Sequence, residues 1–153
     1  MKILYVASEA VPFASSGGLG DVIGSLPAAV SRRLGPESDV RAVIPLYPSV
    51  REKFGDQIVL EKEFYVPLSW RKQYCGIWSI SKDNVKFYFI DNEYYFNGFA
   101  PYGDTYTDVE KFAFFSKAVL SALPLIDFRP DIIHCHDWQT GLVPVYLDNF
   151  RYG

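Results

Sequence analysis

The sequence predicts an α/β fold, a Rossmann-like parallel sheet with helices on both faces and an inserted β-hairpin. Three observations lead to this prediction. The apolar run at residues 3–7 is followed by a glycine loop and a helical pattern, the order of a strand–loop–helix unit. Further apolar runs of strand length lie at 40–44 and 131–135. Residues 58–81 contain strand-like runs with no helix between them, which predicts an antiparallel hairpin.

Composition and charge are those of a folded domain and exclude several classes of partner. Of the 153 residues, 49% are hydrophobic and 17% aromatic, enough to bury a core as one domain over residues 1–153. The net charge of −3 argues against a nucleic-acid binder. The apolar runs are too short for a membrane span and no signal peptide is recognisable, so we expect a cytoplasmic protein. Cys75 and Cys135 stand in apolar contexts, which favours two buried thiols over a disulfide or a zinc site.

The first helix is predicted over residues 19–34. Apolar side chains recur there at three- and four-residue steps. The ring of Pro27 opposes the carbonyl of Ile23, so we expect the helix to kink or to restart at that point. Gly35 is expected to end it.

Three strands without intervening helices are predicted in the middle of the chain. They cover residues 58–67, 73–81 and 85–90, and the segment Lys82-Asp83-Asn84 makes a turn between the last two. We interpret 58–81 as an insertion and 85–90 as a return to the main sheet.

A long loop and two further helices complete the sequence. Residues 91–106 are rich in Tyr, Phe, Asn and Gly, and loops of this length often form binding surfaces. Thr107 and Glu110 fit a capping box that opens a helix reaching about residue 123. A final helix is predicted over 137–150. The sequence ends soon afterwards, so a fragment of a longer chain fits it as well as a complete sheet does.

The loop after the first strand is a candidate anion site. Gly17 and Gly18 directly precede the predicted helix, and Asp21 lies in its first turn. Glycines let the backbone approach a ligand closely, and amides at a helix start attract phosphate. The dinucleotide fingerprint is absent, because Ile23 replaces its third glycine and Pro45 stands where an acidic residue is expected. The alternative is a plain glycine turn in which Asp21 only complements the helix dipole.

A second candidate site ends the strand at 131–135, which is expected to be buried. His134 and His136 would share one face of that strand, with Asp137 beside them. A histidine there can donate to a sugar hydroxyl or carry a proton. The same three residues would also suit a metal-dependent hydrolase, although further ligands at a recognisable spacing are lacking. We expect His134 to hydrogen-bond within the core and His136 to be exposed at the strand end.

Aromatic residues in the long loop form a third candidate. Aromatic rings stack on sugar faces, and neighbouring Asn and Asp side chains bond to hydroxyl groups. We expect Tyr94 and Phe96 to pack the loop against the core. For Tyr102, which lies between Pro101 and Gly103, packing and sugar contact are both open.

Taken together, these segments resemble the N-terminal part of bacterial glycogen synthases and plant starch synthases, glycosyltransferase family 5. The resemblance rests on KILYVASEAVPFASSGGLGDVIGSLP at the start, YGD and EKFAFFSKA in the middle, and RPDIIHCHDWQTGLVPVYL near the end. These motifs follow one another in the family's order and span the chain.

The resemblance implies the N-terminal domain of a GT-B glycosyltransferase, in which two Rossmann-like domains face a cleft. Such an enzyme moves glucose from ADP-glucose to the non-reducing end of an α-1,4-glucan, with retention of configuration and without a metal or other cofactor. Its partner would be the C-terminal nucleotide-binding domain, which this sequence lacks, so we expect the fragment alone to be inactive. The alternative function is a non-catalytic module that binds glucan or nucleotide sugar.

The resemblance also implies roles for individual residues. His136 would contact the transferred glucose and, with Asp137, form the catalytic group. The substrate-binding residues would be Ser15, Gly17, Gly18, Asp21, Tyr102 and Trp138. Ser15 stands where the family usually has lysine, and the loss of a cation beside developing phosphate charge predicts weaker handling of the donor.

Overall fold

Six strands of the described chain form one mixed sheet. The computed structural model describes residues 1–98 and 100–152, with side chains as far as residue 150. The strands are β1 (Lys2–Val6), β2 (Asp39–Pro45), β3 (Val59–Leu68), β4 (Arg71–Lys82), β5 (Val85–Asp91) and β6 (Ile132–Cys135). Their order in space is β3-β4-β5-β2-β1-β6. Strands β5, β2, β1 and β6 run parallel, whereas β3 and β4 add an antiparallel hairpin.

Helices cover both faces of this sheet. They are α1 (Gly18–Leu34), α2 (Pro48–Phe54), α3 (Glu93–Phe96), α4 (Thr105–Ala122) and α5 (Leu142–Tyr152). The connection through α1 leads from β1 towards β2, and the connection through α4 leads from β5 back across the sheet to β6. Because parallel crossovers are right-handed, these opposite directions place α1 and α4 on opposite faces. The predicted fold class is confirmed.

The core is built around the central strands and a group of aromatic rings. Side chains of β1, β2 and β5 are almost completely buried, as strands covered on both faces should be. Phe13, in the loop after β1, is 1% exposed. Its ring packs against those of Phe54, Phe87 and Phe89 with centroids 5.0–5.1 Å away. That loop is therefore anchored to the core from its middle.

Two helices differ from the sequence prediction. Helix α1 continues through Pro27 as one element to Leu34 and ends at Gly35, whose φ of 86° is accessible to glycine. Helix α2 was not predicted, because its seven residues are too few to show a clear period. Pro48 at its first turn was the available signal.

The inserted hairpin follows the prediction closely. Strands β3 and β4 pair antiparallel, and β4 pairs antiparallel with β5. Asp83 and Asn84 connect β4 to β5 with φ values of 52° and 63°, the conformation of a tight two-residue hairpin turn. Strand β5 then pairs parallel with β2 and so returns the chain to the main sheet.

The predicted start of the long helix is wrong. Helix α4 begins at Thr105, and the Asp104 side chain caps it by accepting from the backbone N–H groups of Tyr106 and Thr107. The capping box at Thr107 therefore does not form, because a stronger N-cap residue occurs three positions earlier. The predicted 91–106 loop also contains the short helix α3, and its Phe99 lies outside the described residues.

The prediction that the last strand is buried is also wrong. Strand β6 lies at the edge of the sheet, paired only with β1 among the described strands, and Ile132 is 46% exposed. His134 is consequently exposed and does not hydrogen-bond within a core. The predicted final helix is interrupted, because a short 3-10 turn at Trp138–Thr140 precedes α5.

Two further expectations concern the burial of the cysteines and the length of the apolar segments. Cys75 is buried as predicted, whereas Cys135 is only half-buried, and both thiols are free. Burial raises the pKa of both thiols. No helix within residues 1–98 and 100–152 is long and apolar enough to cross a membrane.

We predict that Phe13→Ala lowers the free energy of unfolding by about 3–5 kcal/mol, because it leaves a cavity among three aromatic rings. Urea unfolding followed by circular dichroism measures the change. The control is Tyr106→Ala, which removes an aromatic ring that is 91% exposed and should shift stability by no more than about 0.5 kcal/mol. Equal losses in the two variants would contradict the prediction.

Candidate functional site

The candidate site lies at the carboxyl ends of β1 and β6. The chain leaves β1 towards one side of the sheet, whereas β6 is reached from the other side. This reversal of strand order is a topological switch point, where open α/β sheets form a crevice for ligands. The loop from residue 7 to residue 17 follows β1 and the segment from His136 to Trp138 follows β6, so both segments lie at this end of the sheet, where the crevice is expected.

A buried carboxylate fixes the glycine loop. Glu9 is 2% exposed, and its Oε2 accepts from the backbone N–H and the hydroxyl of Ser16 at 2.7 and 2.8 Å. Its Oε1 accepts from the backbone N–H of Gly20 at 3.2 Å. The carboxylate thus ties the loop to the first turn of α1 and compensates its own burial with three donors.

The glycines of this loop fall into two groups. A Cβ at Gly20 would lie 2.9 Å from the Ser15 Cβ, so packing within the chain requires glycine there. A Cβ at Gly17 or Gly18 would meet no described atom within 4 Å, and Gly17 has an extended φ of −171° that any residue adopts. The chain itself therefore does not require glycine at 17 and 18, whereas a ligand that approaches the backbone would.

Two polar residues near the glycines, Ser15 and Asp21, are exposed. Ser15 is exposed, and its hydroxyl donates to the Gly17 carbonyl at 3.3 Å. Asp21 is exposed in the first turn of α1, at the positive end of the helix dipole. Both the ligand contact and the dipole role predicted for Asp21 fit this position.

The backbone and the ring of His136 both make contacts that hold the residue at the end of β6. Its backbone N–H donates to the Val6 carbonyl at 3.0 Å, and its carbonyl accepts from the Thr140 hydroxyl at 2.9 Å. The imidazole stacks on the Tyr5 ring with centroids 5.9 Å apart and lies 4.2 Å from the His134 ring. The prediction that His136 is exposed is wrong, because the residue is half-buried between these rings. Its Nε2 is buried and has no hydrogen-bond partner among the described atoms.

The environment of His136 favours the neutral imidazole. Burial lowers its pKa below the usual 6.5, and the neighbouring His134 lowers it further, while Asp137 acts in the opposite sense. A neutral imidazole carries one donor and one acceptor nitrogen. Because Nε2 is shielded from solvent, a ligand hydroxyl can reach it only after the groups that cover it move.

Asp137 has an unusual backbone. Its φ of 62° and ψ of −176° lie in a region that is essentially restricted to glycine. The side chain is exposed, and the carbonyl accepts from the Thr140 hydroxyl at 3.3 Å. This conformation turns the chain sharply from β6 into the 3-10 turn.

Tyr102 and Trp138 meet over a shared aromatic ring. Phe112 of α4 lies 6.2 Å from the Tyr102 ring and 5.4 Å from the Trp138 ring, both between centroids. Trp138 is 57% exposed, so much of its surface is open to a ligand. The structure thus brings two of the predicted binding residues together at the His136 side of the crevice.

A hydrogen-bond network holds Tyr102 towards β1. The hydroxyls of Tyr102 and Ser8 are 2.7 Å apart, and the Ser8 carbonyl accepts from the Tyr47 hydroxyl at 2.7 Å. Burial raises the pKa of the Tyr102 hydroxyl, and the charge of Glu9 raises it too, although bonds with serine hydroxyls act in the opposite sense. Tyr102 therefore stays protonated and can donate.

A buried ion pair fixes the backbone around Tyr102. The Lys111 ammonium lies 2.7 Å from the Asp108 carboxylate and donates to the Pro101 carbonyl at 2.8 Å. The other carboxylate oxygen of Asp108 accepts from the Gly103 N–H at 2.9 Å. Both neighbours of Tyr102 are thereby held by the same helix, α4.

Of the two loop residues predicted to pack against the core, Phe96 and Tyr94, only one does. Phe96 is 2% exposed and packs as expected, whereas Tyr94 is 64% exposed and does not. Tyr94 and Tyr102 line an open groove of about 470 Å³, together with Tyr95, Asn97 and Glu110. The groove begins next to the crevice and follows the loop outward.

Sequence reasoning missed three contributors to the site, and it left a metal site open. Glu9, Ser8 and Phe112 all position residues that were predicted. An acid directly after a buried strand was the signal for Glu9. Within residues 1–98 and 100–150, no three His, Cys, Asp or Glu side chains group as metal ligands, so the hydrolase alternative has no ligand set there.

Comparison with known proteins gives consistent matches over the whole chain. Residues 2–153 match the family described as the starch synthase catalytic domain. A glycogen synthase from Lachnoclostridium phytofermentans is 52% identical over 151 residues, covering 98% of this chain and 31% of the relative. A glycogen synthase from Lachnospira eligens is 54% identical over 146 residues, covering 95% and 30%. The chain therefore spans less than a third of the length of these curated relatives.

A solved structure agrees with the sequence relatives. The catalytic domain of starch synthase IV from Arabidopsis thaliana, bound to ADP and acarbose, superposes with a TM-score of 0.84 at 29% identity. The match covers 98% of this chain and 31% of that one. The resemblance inferred from the motifs is confirmed.

We predict that the free energy of unfolding decreases as the pH is lowered below 6.5, and that this decrease depends on His136. The unfolded chain titrates near the usual value of 6.5, whereas the folded chain titrates lower, so the unfolded state takes up the proton first. The stabilisation that His136 contributes is therefore complete above pH 6.5, and it is lost as the pH falls through the pKa of His136 in the folded chain. Urea unfolding of the wild type and of His136→Asn across this range measures it, and parallel curves for the two proteins would contradict it.

Proposed function

Since the chain belongs to the starch synthase catalytic domain family, we propose that it forms the amino-terminal domain of a retaining glucosyltransferase. The reaction transfers glucose from ADP-glucose to the non-reducing end of an α-1,4-glucan. The bond between glucose C1 and the diphosphate oxygen breaks, a bond from C1 to the acceptor hydroxyl oxygen forms, and ADP leaves with the proton of that hydroxyl on its diphosphate. The observation that carries the proposal is the buried, unpaired Nε2 of His136 at the switch point.

The proposed roles follow the geometry of the crevice. We propose that His136 bonds to a hydroxyl of the transferred glucose and that the neighbouring Asp137 forms the catalytic group with it. Trp138 and Tyr102 shape the sugar pocket from the Phe112 side. On the β1 side, Gly17 and Gly18 admit the donor diphosphate close to the start of α1.

The proposal includes a partner domain. The curated relatives are about three times longer than the chain, and the opposite wall of the cleft would come from a C-terminal nucleotide-binding domain. The ADP and acarbose bound by the Arabidopsis structure support a nucleotide-sugar donor and a glucan acceptor. We also propose a cytoplasmic location, which the two free thiols support because disulfides are rare in that compartment.

A chimera tests the role of His136. The corresponding segment of the Lachnoclostridium phytofermentans glycogen synthase is replaced by this chain, and transfer of labelled glucose from ADP-glucose to glycogen is measured. We expect His136→Ala to lower kcat by about 100- to 1,000-fold, the usual loss for one preorganised hydrogen-bond donor. The melting temperature should change little, because the site is only half-buried.

His134→Ala is the matched control for that variant. His134 is exposed, so we expect little loss of stability. Its ring lies 4.2 Å from that of His136, so we expect kcat to fall, but far less than in His136→Ala. Wild-type kcat in the His136→Ala chimera would refute the role proposed for His136.

A second prediction concerns Ser15. In the same chimera, Ser15→Lys should raise kcat about tenfold, because a cation near the departing diphosphate stabilises the transition state by about 1.4 kcal/mol. Ser15→Met, which has a comparable length without charge, is the control and should not raise kcat.

The outcome of this experiment also separates the enzyme from the binding module. A chimera that binds ADP-glucose and glycogen but transfers no glucose, with or without the Ser15→Lys substitution, would support the non-catalytic module. Ser15 itself is the observation that keeps this second function under test.

A further inference from the structure

The turn of the inserted hairpin carries an exposed aromatic surface. Trp70, between β3 and β4, is 85% exposed. Tyr94 of α3 is 64% exposed. Arg71 lies next to both rings, with its guanidinium carbon 5.9 Å from the Trp70 centroid and 5.6 Å from the Tyr94 centroid. We call these three residues the hairpin platform.

The platform is held in place by polar contacts. An Arg71 Nη donates to the Tyr94 hydroxyl at 3.2 Å, and its Nε lies 3.1 Å from the Glu110 carboxylate. The same carboxylate accepts from the Tyr95 hydroxyl at 2.7 Å. These contacts connect the hairpin to α3 and α4 and hold Arg71 and the Tyr94 ring in place, while the Trp70 ring projects into solvent beside them.

The groove described above joins the platform to the candidate site. Tyr102 lies at one end of the groove, where its hydroxyl meets Ser8 at the end of β1. Tyr94 and Glu110 line the same groove and also contact Arg71 of the platform. A continuous surface of aromatic rings and hydrogen-bonding groups therefore leads from the crevice to the hairpin turn.

We propose that the hairpin platform is a distal binding site for the α-glucan acceptor, reached by chains long enough to extend along the groove. The inference rests on the proposed function and adds a subsite remote from His136. Its central contact is the stacking of a glucose face on the Trp70 ring, with Arg71 donating hydrogen bonds to sugar hydroxyls.

The chemistry of the platform favours a sugar over other ligands. Trp70 and Tyr94 place two exposed rings beside one guanidinium, and aromatic rings present flat apolar faces that match those of pyranoses. The charge of Arg71 is paired with Glu110, so it offers little net attraction to a phosphate group. The chain as a whole carries a charge of −3, which also disfavours a nucleic acid.

Affinity electrophoresis of the chimera in glycogen-containing gels tests the proposal independently of transfer. We expect Trp70→Ala to weaken glycogen binding by about five- to tenfold, the range that a lost aromatic contact gives. In transfer assays, kcat/KM with glycogen should fall about fivefold more than kcat/KM with maltotriose, because only a chain that occupies the crevice and the platform together gains from the second contact.

Tyr65→Ala is the matched control. Tyr65 is 59% exposed on the same hairpin, but it pairs with Tyr74 and so lies on the face opposite to that of Arg71. We expect it to bind glycogen as the wild type does. Trp70→Phe should restore most of the binding lost in Trp70→Ala.

The experiment separates this inference from the proposed function. Three results would overturn the platform. Trp70→Ala could bind glycogen as well as the wild type does, Trp70→Ala and Tyr65→Ala could be equally weakened, or the wild-type chimera could fail to bind glycogen. A chimera that binds glycogen through Trp70 but transfers no glucose would refute the proposed function and leave the platform in place.

Discussion

The buried carboxylate of Glu9 is the contact on which the arrangement of the site depends. Its three hydrogen bonds set the distance between the end of β1 and the first turn of α1. Phe13 anchors the same loop from below through aromatic packing. Without these two attachments, the glycine-rich segment would be a long flexible loop, and its backbone amides would have no fixed direction.

Glu9 also affects the electrostatics of the loop. A helix start attracts anions through its partial positive charge, but a carboxylate bonded to the Gly20 amide offsets part of that charge. The physical argument for phosphate binding is therefore weaker in this structure than the sequence alone suggests. It also explains why a cation at position 15, as in the family pattern, would matter for a diphosphate.

Most of the fold could be predicted from the sequence, because buried parallel strands and amphipathic helices have clear periods. The exceptions have physical causes. The burial of His134 depends on what lies beyond β6, and no local pattern contains that information. Two residues, Asp104 and Thr107, could each have capped the start of α4, and the sequence does not show which of them does. His136, Tyr102 and Trp138 were proposed as site residues from motifs, whereas Glu9 acts through a loop closure that spacing does not reveal.

The backbone of Asp137 has a consequence for how this chain balances stability against activity. A non-glycine residue in that region costs about 1–3 kcal/mol, a large share of the net stability of a domain. Glycine would be the residue of choice if stability alone were at stake. With the catalytic role proposed for Asp137, a carboxylate at this turn is a stability–activity compromise, and stabilising substitutions are best sought elsewhere, since glycine here would remove the side chain that the strained backbone carries.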